Sequence, residues 1–82
     1  MPYIKGSRRN VVSRVVTAME EVGIRADGDL NYILFKFCKY NIEPSYNNYK
    51  NFIGELNETV AEIRRQLLAP YEDKKIEENG DV

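Results

Sequence analysis

The chain has 82 residues, 43% of them apolar, with a formal charge of −1, one Cys and no His. That length allows one domain with one thin core, and too little apolar material to enclose an enzyme-sized site as well. The missing His removes the commonest general base and the commonest transition-metal ligand, and a single Cys excludes an internal disulfide. No apolar run nears the ~18 residues of a membrane span and no signal peptide opens the chain, so no membrane partner and a cytoplasmic location are expected.

The chain is uneven in charge along its length. Residues 1–14 carry Lys5, Arg8, Arg9 and Arg14 without an acid. Residues 71–82 carry Glu72, Asp73, Glu77, Glu78 and Asp81 against Lys74 and Lys75. An overall balance near zero lacks the dominant positive field that coats duplex nucleic acid, so a duplex is not an expected partner. The basic front can hold a few phosphates, and the two ends can equally pair with each other within the fold or between copies.

An arm, residues 1–6, precedes a first helix expected over 8–22. Ser7 is an acceptable N-cap, because its hydroxyl accepts an orphan amide proton. Val11, Val12, Val15, Val16, Met19 and Val22 recur at helical spacing. The valines are β-branched, which keeps a strand as the competing reading. Gly23 suits the left-handed residue that closes a helix.

Asp27-Gly28-Asp29 reads as a turn with Asp29 capping a second helix over 30–41. Leu30, Ile33, Leu34, Phe37 and Cys38 make its apolar face. Tyr32, Phe35 and Tyr40 lie elsewhere on it, so the helix is either central or in contact with another molecule. Cys38, on the apolar face, is expected to be buried and inert. Pro44 ends this segment.

Ser45 caps a third helix over 46–69, ended by Pro70. Tyr46, Tyr49, Ile53, Leu56, Val60, Ile63 and Leu67 alternate spacings of three and four, a heptad seam widened by Phe52 and Leu68. At 1.5 Å per residue this helix is about 36 Å long, as long as the domain or longer. Two short helices leave part of such a seam uncovered, so Tyr49, Ile53, Leu56, Val60, Ile63 and Leu67 are candidate contacts with a second copy. Gly54, inside the helix, costs about 1 kcal/mol against Ala, which a close crossing or a ligand on the backbone would justify. A short polar helix over 71–79 follows. The expected fold is all-α, a single domain over 1–82 with three helices, a long third helix and a short C-terminal one, assembled as a homo-oligomer.

Several stretches resemble a known family. They are Met1-Pro2-Tyr3-Ile4-Lys5, Gly28-Asp29-Leu30-Asn31-Tyr32, Tyr46-Asn47-Asn48-Tyr49, Ile53-Gly54, and the run from Ala69-Pro70-Tyr71-Glu72-Asp73 to Asn79-Gly80-Asp81-Val82. The family is one of small prokaryotic and phage proteins known mainly as a domain of unknown function. The C-terminal run is the specific part; residues 8–25 diverge. The resemblance implies no activity. Its occurrence in phages implies a small host-modulating protein, such as an inhibitor of a defence enzyme or a sponge for a signalling nucleotide.

Catalytic sets are thin. There is no Ser/His/Asp or Cys/His set and no Gly-rich phosphate loop, so no catalytic residue and no cofactor are assigned. Asp27 and Asp29 alone are a weak cation signal, better explained by turn and cap chemistry, and no metal is assigned. A nucleotide needs cations for phosphates and planar groups for bases. Tyr3, Lys5, Arg8 and Arg9 offer these near one helix start, Asn31 can read a base edge, and Tyr71 and Lys75 can complete the site from a neighbouring subunit. The expected function is a non-enzymatic, phage-type accessory protein that sequesters a small nucleotide, such as a cyclic signal, at subunit interfaces and so counters host defence. The alternatives are an inhibitor of a host enzyme acting through Tyr32, Phe35 and Tyr40, or a structural assembly protein.

Overall fold

Every regular element among the described residues is a helix. The computed structural model describes residues 4–80, which fall into two units, 4–49 and 50–80. The elements are α1 (Gly6–Val22), α2 (Gly28–Asn41), α3 (Tyr46–Ile63), a π-helical segment (Arg64–Leu68) and α4 (Ala69–Asn79).

In the first unit the valine-rich stretch is a helix, and the strand reading falls. Its end is fixed by Gly23, whose φ of 78° is left-handed. Gly23 N–H donates to the carbonyl oxygens of Met19 and Glu20, and Ile24 N–H donates to Met19 at 3.0 Å. This closure satisfies carbonyls that the helix end would otherwise orphan, and it comes with Met19 and Ile24 half-buried. The start differs from expectation. α1 begins at Gly6 with Lys5 as N-cap and no side-chain cap bond, so Ser7 lies inside the first turn.

α2 also begins earlier than expected. Asp27, not Asp29, is its cap, with Asp29 N–H donating to Asp27 Oδ1 at 3.1 Å. Asp29 then sits in the first turn, where its negative charge meets the helix dipole and Arg25 N–H donates to it at 3.3 Å. Val12, Met19, Ile24, Leu30, Ile33, Leu34, Cys38 and Ile42 are half-buried. Cys38 is therefore not the fully buried thiol expected. Ser45 caps α3 as expected: Asn48 N–H donates to Ser45 Oγ at 3.0 Å, and the Asn48 amide donates back to the Glu43 carbonyl.

In the second unit the main departure is at Pro70. The proline does not end the third helix. α3, the π-helical segment and α4 follow one another without a break from Tyr46 to Asn79, so the last helical run is 34 residues long. Proline has no N–H to give the carbonyl four residues back, and its ring clashes there. The chain answers by widening the preceding turn: Ala69 N–H donates to Arg64, five residues back. Arg65 Nη2 reaches both carboxylate oxygens of Glu62, at 2.9 and 2.8 Å, and the Gln66 amide also donates to Glu62, pinning this turn from its surface.

No described residue is buried. A fully buried Leu or Ile contributes about 1.5–3 kcal/mol. Neither unit collects that from any described side chain, and the apolar stripes of the helices remain half-covered or open.

Candidate functional site

The seam on α3 is the most extensive apolar feature. Tyr46 is 80% exposed, Tyr49 39% and Leu67 65%, with Ile53, Val60 and Ile63 also exposed and Leu56 half-buried. The heptad spacing is realised by a true α-helix through Ile63. Among the described residues nothing lies within 4 Å of a Cβ placed at Gly54, so no close crossing there accounts for it. It lies on the polar side, one turn from Lys50 and Glu58.

The residues read as a nucleotide site distribute as follows. Tyr3 lies outside the described residues. Lys5, Arg8 and Arg9 gather at the start of α1, all exposed, and make no ion pair among the described residues. Asn31 is the fourth residue of α2, nine residues after Val22 at the end of α1. α1, about 25 Å long, runs between the cations at its start and the turns that lead to Asn31. In the second unit Tyr71 and Lys75 do meet. The Lys75 ammonium lies 5.6 Å from the Tyr71 ring centroid and 3.3 Å from Glu78 Oε2. A cation on a ring face is one half of a base-and-phosphate recognition pair.

Arg25 occupies the place where Asp27 and Asp29 would hold a cation. Its Nε lies 3.3 Å from Asp27 and 3.9 Å from Asp29. Among the described residues no group of three metal-ligating side chains forms. No helix of the described residues is long and apolar enough to cross a membrane.

Two features escaped the sequence reading. One is the π-helical segment. The other is a pair of lysines laid on α2 rings: Lys36 Nζ lies 5.5 Å from the Tyr32 centroid, and Lys39 Nζ 5.6 Å from that of Tyr40. The signal for the second was present, because Lys36 stands four residues after Tyr32 on one helix.

The whole chain, residues 1–82, matches a family described as a domain of unknown function. It belongs to DUF6899. No curated protein and no solved structure matches the chain. Membership in DUF6899 thus agrees with the resemblance of the sequence to a family without assigned activity. The family name carries no substrate and no partner, and the functional reading rests on the geometry.

Proposed function

We propose that the chain is a non-enzymatic accessory protein that assembles with copies of itself and sequesters a small nucleotide where the copies meet. The absence of any buried residue among those described carries this reading. A chain that buries nothing alone has its apolar faces left for another molecule, and a heptad seam is complementary to its own copy. The ligand part draws on Lys5, Arg8 and Arg9, whose charges no described carboxylate neutralises, and on the Tyr71–Lys75 pair. Asn31 stands on a different helix from those cations, and the proposed site draws on them from more than one copy. By its phage resemblance, the nucleotide would be a defence signal of the host cytoplasm.

Native mass spectrometry of the untagged protein from its own cells tests this. An oligomer carrying the extra mass of a nucleotide at each site is the expected result. Arg8→Ala should then strip the ligand and leave the oligomer. A bare oligomer that no nucleotide shifts would reduce the protein to an assembly role. A bare monomer would remove the shared site altogether.

A further inference from the structure

We propose that the outer face of α2 is a docking strip for a single strand of nucleic acid, two or three nucleotides at a time. The strip is Tyr32, Phe35, Lys36, Lys39 and Tyr40. It goes beyond the assembly reading and shares no residue with it.

The rings are held out. Tyr32 is 63% exposed, Phe35 65% and Tyr40 70%, although large aromatic side chains carry the greatest incentive to be covered. Tyr32 and Phe35 lie across α2 from the half-buried Leu30, Leu34 and Cys38, so they are not the overflow of its apolar face; Tyr40 stands at the edge of that face, two turns on from half-buried Ile33. Between the rings stand Lys36 and Lys39, each with its ammonium beside a ring and neither in an ion pair among the described residues. The one carboxylate on α2, Asp29, is in the first turn and engaged by Arg25. The strip is therefore cationic and aromatic without an acid.

That chemistry selects the occupant. Ammonium groups that no described carboxylate pairs call for an anion, and flat exposed rings call for flat partners. Protein interfaces are depleted in lysine, whose ammonium is costly to desolvate, so a protein hot spot fits less well. An acidic peptide would answer the lysines and leave the rings idle. A duplex hides its base faces in its own stack. From Tyr32 to Tyr40 the strip runs about 12 Å along the axis, with a ring at either end. One base covers one ring, so the length fits a short stretch of strand better than a free mononucleotide.

The test is fluorescence anisotropy of a labelled oligothymidylate strand titrated with the full chain across a salt series. Binding should weaken with salt with a log–log slope of about −1.4 per chain, the value for two phosphates of a single strand. Tyr32→Leu or Phe35→Leu should weaken it about 5- to 150-fold, the loss expected for one stacked base. Lys36→Gln should halve the slope, and Lys36→Arg should keep it, with circular dichroism showing α2 intact in each variant. The proposal is overturned if the strand does not bind, if a duplex of equal length binds as well, or if thymidine monophosphate competes as well per molecule. It is equally overturned if polyglutamate displaces the strand, or if the ring variants change the oligomer instead of strand binding.

Discussion

Gly23 and Gly54 show how differently one residue type can be used. Gly23 closes α1 in a left-handed conformation, where a Cβ is strained whatever the space around it. Gly54 sits in ordinary helix with open space where its Cβ would be. Gly23→Ala should therefore cost about 1–2 kcal/mol. Gly54→Ala should gain about 1 kcal/mol. Urea unfolding at low protein concentration measures both. A loss at Gly54 would show that another molecule packs against that backbone. Gly23 and Ser45 were legible because each position admits few residue types. Asp27 and Asp29 were not separable, since either carboxylate, two residues apart, can cap a helix, and only the backbone at Asp27 decides.

Among the elements, the long helical run shows where sequence rules fail. The heptad from Tyr46 to Leu67 was plain, because period and length agree. Pro70 reads as a stop because proline has no N–H to donate to the carbonyl four residues back. A turn with a bond five residues back evades that rule, and nothing in the sequence of Arg64–Leu68 marks it. The widened turn still lacks the regular ladder. Pro70→Ala should let it relax to α geometry and stabilise the run by up to about 3 kcal/mol, the usual cost of an internal proline. A rise in ellipticity at 222 nm and in the melting temperature would show it. An unchanged melt would mean that the Glu62, Arg65 and Gln66 bonds, not Pro70, hold the turn open.

For the molecule as a whole, the decisive quantity is burial. The sequence held enough apolar residues for a thin core, but composition does not say whether one chain brings them together. Among the described residues none is buried, and the apolar side chains are half-buried at most. If copies complete the burial, the melting temperature should rise with protein concentration, as it must when association and folding are linked. Val60→Asp places a charge in the middle of the seam. It should dissociate the oligomer, read by analytical ultracentrifugation, while much helical signal stays. Complete unfolding of the variant without a lighter folded species would put the seam inside the chain.

The widened turn before Pro70 also changes which residue faces along the stripe. A π turn consumes one residue more than an α turn. In unbroken α geometry the next heptad position after Leu67 falls on Pro70 itself. The extra residue rotates the helix beyond it by about 100° and brings Tyr71 into that place, with Lys75 one turn further on over its ring. The proline thus sets the phase of everything after it, turning itself off the stripe and an aromatic ring onto it. A chain relaxed at that point would be the better helix and the poorer neighbour, offering a short side chain where the native protein presents a phenol.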